Sequence, residues 1–178
     1  MNNLKTTHLI NPHPPPRPAN VNCTSMRELY LAFEEIFLGN SGCIQSACGH
    51  TIFVFDHHFF HMAAITVEGV GRLFMRDEKP KILGLDTGFG LYEVGEPRAR
   101  HLRSAHLTIC EPDEVWVENP KSRAKWVYVK EFDSKPYPFS VALVTERPEE
   151  KSIIVPVSSF ACKNGDIGKW RRGERIHP

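Results

Sequence analysis

Three histidines, His57, His58 and His61, crowd the stretch that follows the apolar run Ile52-Phe53-Val54-Phe55. Histidine is the one side chain whose unperturbed pKa, roughly 6.5, lets it give and take protons near neutral pH. If the stretch is helical, His57 and His61, four positions apart, share a face and could hold a metal together with Asp56. The H-E-x-x-H form is absent, because His58 stands where the glutamate would be. We therefore read His61 or His58 as an acid/base residue ahead of a metal pair, with plain packing of the three as the alternative and no metal or other cofactor implied.

A second chemical pattern lies in the run 125–132. Strand alternation puts Trp126, Tyr128, Lys130 and Phe132 on one face and Val127, Val129 and Glu131 on the other. A phenol and an ammonium thus share a surface, with Lys130 placed on an exposed face where it can stabilise charge. The competing reading is a half-buried Tyr128 beside a snorkelling edge lysine. Cations form the third pattern. Arg98, Arg100, His101, Arg103 and His106 would cover the polar sides of one helix, and Arg171 and Arg172 belong to a basic tail. Such clusters suit phosphate, though solvated faces are often as basic. Ser158 and Ser159, near the end of the last strand, carry hydroxyls that can donate to a phosphate or simply satisfy the backbone.

These residues must be positioned by a chain of 178 residues, enough for one core without staples. Apolar content of 41% and charged content of 24% confine disorder to local segments. No run approaches a membrane span, and the start of the chain lacks a secretory signal, which predicts a cytoplasmic protein with no membrane partner. The five cysteines, Cys23, Cys43, Cys48, Cys110 and Cys162, are odd in number and contain no C-x-x-C, so they are expected to be free, buried or semi-exposed thiols. A net charge of +1 does not by itself announce a polyanion partner.

Residues 1–22 are rich in proline and poor in large apolar groups, so we expect a disordered or loosely docked arm, followed by a single domain over 23–178. Ser25-Met26-Arg27-Glu28 has the form of a capping box, and Leu29, Ala32, Phe33, Ile36 and Phe37 give the helix an apolar face, with Gly39 as its left-handed stop. A short strand follows at 51–55, and Asp56 is placed to cap the histidine helix. Residues 77–97 read as irregular structure or a short strand at Lys81 to Leu85. Pro97 opens a third helix striped by Ala99, Leu102, Ala105 and Ile109. Four β-rich runs, 115–118, 125–132, 139–145 and 152–160, with short connectors, predict an antiparallel meander. The expected fold is α+β, with N-terminal helices packed on a four-stranded antiparallel sheet.

The region from His50 to Pro178 resembles the barnase/EndoU/colicin/RelE-like nuclease superfamily, in particular its small phage-associated branch. The resemblance is carried by the histidine stretch 55–61, by Pro112-Asp113-Glu114-Val115-Trp116 leading into strands, by Tyr128-Val129-Lys130, by Val157-Ser158-Ser159-Phe160, and by the closing Trp170-Arg171-Arg172-Gly173-Glu174-Arg175-Ile176. It implies a toxin-like endoribonuclease that cuts RNA without metal. A base takes the 2′-hydroxyl proton, cations stabilise the crowded phosphate, and an acid protonates the leaving oxygen, leaving a 2′,3′-cyclic phosphate. Carried over by position, His61 is the proton-transfer residue, Arg98 or Arg100 and Lys130 stabilise phosphate, and Tyr128 and Ser159 are auxiliary donors. The clustered histidines leave the choice among them open, and a cognate inhibitor protein joins RNA as an expected partner. Two other functions stay open: a binding module on the same scaffold without turnover, and a metal-dependent hydrolase using His57 and His61.

Overall fold

The computed structural model describes Pro16 and residues 26–39, 41–56, 58–63, 101–118, 124–147 and 149–178. The proline-rich arm therefore lies outside the described residues apart from Pro16, whose carbonyl accepts a hydrogen bond from Asp133 N at 2.9 Å.

The first helix, α1 (Met26–Phe33), runs directly into a π-helical turn over Glu34–Leu38. Its spacing buries Leu29, Tyr30, Phe33 and Phe37. Tyr30 packs edge-on against Phe59 with centroids 5.1 Å apart, and Phe33 meets Phe37 and Phe59 at 5.2 and 5.4 Å. Each such aromatic pair is worth about 0.5–1.5 kcal/mol beyond the area it buries. Gly39 is not the left-handed stop that its position suggested. Its φ is −56°, and the chain reverses at Ser41 and Gly42, with φ of 67° and 65°. At Gly42 a side chain would also strike the Val54 carbonyl, so only glycine fits both the conformation and the close approach.

The sheet corrects the expected architecture. It has seven strands, not four, and it is mixed. In chain order they are β1 (Cys43–Gln45), β2 (Thr51–Phe53), β3 (Glu114–Val117), β4 (Trp126–Glu131), β5 (Phe139–Arg147), β6 (Glu150–Cys162) and β7 (Glu174–His177). Their spatial order is β1-β2-β6-β5-β4-β3-β7. The meander β3 to β6 forms the middle. The hairpin β1/β2 extends one side through a parallel pairing of β2 with β6, Ile52 opposite Ile154, and β7 extends the other side against β3. Helices are thus not a layer preceding the sheet: the N-terminal half contributes strands of its own.

Pro156 explains an irregularity in the longest strand. Ser158 faces Leu143 and Pro156 faces Val144, so Val157 is skipped and protrudes. A residue without an N–H interrupts the ladder, and the bulge bends β6.

Two short helices cover the sheet: α2 (His58–Ala63) lies on β6, and α3 (Leu102–Cys110) lies on β4 and β5. Cross-strand partners share a face, so the rows Trp126–Val144 and Tyr128–Ala142–Ser159 look toward these helices. There they join the main core with Ile52, Phe59, Met62, Leu102, Ala105 and Ile109. The opposite face carries a smaller core of Val127, Val129, Phe139, Val141, Cys162 and Ile167, closed by Trp116 and Trp170. Among the described residues no helix is long and apolar enough to cross a membrane.

Candidate functional site

The hairpin loop Ser46-Ala47-Cys48-Gly49-His50 connects β1 to β2. It is closed by Ser46 N to His50 O and by Gly49 N to Ser46 O, both 2.9 Å, with Gly49 at φ 88°. Ala47 N donates to Cys110 O, also at 2.9 Å, which pins the loop to the end of α3. Cys48 and His50, two apart on this loop, both reach Tyr128 of β4.

His50 Nδ1 lies 2.5 Å from Tyr128 Oη, and the Cys48 thiol sits 3.4 Å from that oxygen and 3.5 Å from the same nitrogen. Ser46 Oγ is 3.0 Å from Cys48 Sγ. The imidazole packs on Trp126, centroids 4.7 Å apart. Burial, and then the neighbouring Lys125 cation, lower the His50 pKa below its ordinary value, so the ring is neutral at pH 7. Burial first, then the hydrogen bond with Cys48, raise the Tyr128 pKa far above its usual range, so the phenol keeps its proton.

A neutral imidazole beside a protonated phenol has two arrangements. When Oη–H donates to Nδ1, Nε2 carries the ring proton. When Nδ1–H donates to Oη, the phenol proton turns toward Cys48 and Nε2 is bare. Nε2 has no hydrogen-bond partner among the described residues and the ring is half-buried, so this nitrogen is the one available for giving or taking a proton.

Of the residues singled out in the sequence, Tyr128 is the one brought into this cluster. Lys130 shares its face but is not exposed as expected. It is 7% accessible, and its ammonium donates to Glu111 O at 2.6 Å and pairs with Asp113 at 3.7 Å, bracing β4 against the turn after α3. His58 is buried, and its Nδ1 accepts the Phe55 N–H at 2.9 Å at the start of α2. Asp56, expected to cap that helix with its side chain, accepts the Tyr30 hydroxyl at 3.1 Å. His61 lies in α2, with its side chain outside the described residues, as are His57, Arg98 and Arg100.

Ser158 and Ser159 point to opposite faces. Ser159 Oγ donates to Met62 O at 3.4 Å in the Tyr128 row, and Ser158 faces Leu143 on the other side. Arg171 is on that other side too. It donates to Glu114 Oε2 at 2.8 Å and lies over Phe139. Arg172 is exposed, near Gly168 O at 3.4 Å. Arg103 makes an exposed pair with Glu35 at 3.2 Å, and burial lowers the pKa of His101 at the head of α3.

The sequence reading passed over His50 and took Cys48 for a plain thiol. The available signal was a Cys-Gly-His turn between two short runs, Cys-Ile-Gln and Thr-Ile-Phe, outweighed by the denser histidine stretch just downstream. Among the described residues no three His, Cys, Asp or Glu side chains come together as a metal site. No family model, curated protein or solved structure matches this chain.

Proposed function

We propose that this chain cleaves RNA without a metal ion, by transesterification to a 2′,3′-cyclic phosphate, and that His50 rather than His61 is its proton carrier. The observation that carries this reading is the Tyr128 to His50 hydrogen bond, which holds a neutral imidazole with Nε2 turned from the phenol. In the tautomer with Nδ1–H on Oη, Nε2 takes the proton of the 2′-hydroxyl. The resulting oxygen attacks phosphorus as the P–O5′ bond breaks, the departing 5′-oxygen takes a proton from water, and Lys125, whose ammonium pairs with Glu146 and acts on the imidazole, offsets the added negative charge. Tyr128 touches the ring and not the phosphate, so it is a positioning residue. The sequence resemblance in the Pro-Asp-Glu-Val-Trp and Tyr-Val-Lys stretches supports the choice of RNA as the phosphodiester. The same reading places the protein in the cytoplasm, as a toxin-like, phage-associated domain with a cognate inhibitor protein as partner.

The test is cleavage of a mixed RNA pool in EDTA by the wild type, His50→Ala and His61→Ala. Loss in His50→Ala with activity kept in His61→Ala is expected. Loss only in His61→Ala moves the proton carrier to α2. Binding of RNA with no cleavage by any chain supports the binding module instead, and activity restored only by added metal supports the hydrolase.

A further inference from the structure

Cys48 packs at the edge of the main core and its sulfur has no chemical step in the proposed cleavage, yet it contacts Ser46, His50 and Tyr128 at once. A nucleophilic sulfur needs a base within reach, and the base needs a third group to hold it. Here those are Cys48 Sγ, His50 Nδ1 at 3.5 Å, and Tyr128 Oη on the same nitrogen. Approach is open: Ala47 and Gly49 are exposed, Cys48 itself is half-buried, and the space where a Gly49 side chain would stand has no atom within 4 Å.

The other described thiols differ. Cys162 is buried and its pKa is raised, chiefly by burial. Cys110 touches His106 at 3.6 Å, but burial and the neighbouring Glu111 carboxylate both raise its pKa. Cys43 lies in β1 with no histidine contact among the described residues. Cys48 is the described cysteine whose sulfur meets both a histidine nitrogen and the phenol that holds that nitrogen.

We propose that Cys48 is a thiol–disulfide exchange site that takes low-molecular-weight disulfides, with His50 as the base. The thiol proton passes to His50 Nδ1, directly or through Tyr128 Oη. The sulfur then attacks one sulfur of R–S–S–R, the new Sγ–S bond forming as the old S–S bond breaks. The departing thiolate takes the proton back from His50 and leaves as R–SH. Cys48 is oxidised and half of the disulfide is reduced, so the step balances with no other reactant. The resulting adduct would extend toward the open side of the loop at Gly49.

The experiment uses the full chain carrying Cys23→Ser, reacted with a chromogenic aryl disulfide, with the modified cysteine identified by peptide mass mapping. Cys48 is expected to react first, and at least tenfold faster in the folded chain than in the same chain unfolded in urea, where its base is gone. Cys48→Ser removes the fast phase and His50→Gln slows it by at least tenfold. First reaction at Cys43 or Cys110, or a Cys48 rate no higher folded than unfolded, overturns the proposal. The folded-to-unfolded comparison needs no variant at position 50, and no RNA is involved, so failure here is separate from failure of the cleavage reading.

Discussion

Replacing Tyr128 by Phe removes one oxygen and leaves the ring in place. The ring is fully buried between the sheet and α3, so the packing survives. What is lost is the 2.5 Å contact with His50 Nδ1 and the 3.4 Å contact with Cys48. A net hydrogen bond is worth about 1 kcal/mol, and a partly buried nitrogen left without a partner raises the cost to about 1–3 kcal/mol of stability. The catalytic cost has a different origin: without Oη the ring orientation that turns Nε2 outward rests only on the weaker Cys48 contact and the packing on Trp126. A loss of about 10–100-fold in kcat corresponds to about 1.4–2.7 kcal/mol of barrier. KM should stay within about twofold, because a buried phenol does not meet the substrate. Initial rates on a fluorogenic oligoribonucleotide in EDTA, together with urea unfolding, separate the two costs. Wild-type kcat in a folded Tyr128→Phe chain, or a change in KM alone, refutes the positioning role.

Three further outcomes follow from the same geometry. The neutral imidazole of His50 is the working form and its pKa lies below the ordinary 6.5 or so, so kcat/KM should be flat at neutral pH and fall only on acidification below that value. An acid limb with its midpoint above pH 7 contradicts this. Lys130→Ala should act on stability, by about 1–3 kcal/mol in urea unfolding, since it empties a buried site and leaves Glu111 O without its donor; an unchanged unfolding midpoint with lost turnover would restore the phosphate-stabilising role. Gly173 has φ 93° and a side chain there would collide with Val117 O, so Gly173→Ala should cost at least about 1–2 kcal/mol and expose the β3 amides that pair with β7, read by hydrogen exchange.

The elements with strong local periodicity were legible from the residues. The alternation that splits Trp126 and Tyr128 from Val127 and Val129 is the split between the two cores. The extent of the sheet was not. β7 is Glu-Arg-Ile-His, with a single large apolar residue and no alternation, and what makes it a strand is pairing with β3. β1 and β2 are three residues each, and their place depends on Ile52 meeting Ile154 across a hundred residues of chain. Such long-range pairing leaves no local trace.

The candidate site shows the same division. Tyr128 stood out because a tyrosine and a lysine shared a strand face, whereas His50 acquires its chemistry only when the hairpin loop folds onto β4. His58 illustrates the reverse: a histidine in the densest cluster, turned inward to take the Phe55 amide. Lys130, expected at the surface, is drawn in by a backbone carbonyl and a carboxylate that follow α3.

The central claim is that His50 moves the proton in a metal-free cleavage, and product-end analysis of RNA incubated in EDTA tests it most directly. The wild type should leave 2′,3′-cyclic phosphate ends. A folded His50→Ala chain should produce them about 100–10,000-fold more slowly, the usual contribution of a general base. Cyclic ends formed at the wild-type rate by His50→Ala, or ends bearing a 3′-hydroxyl, would contradict the account.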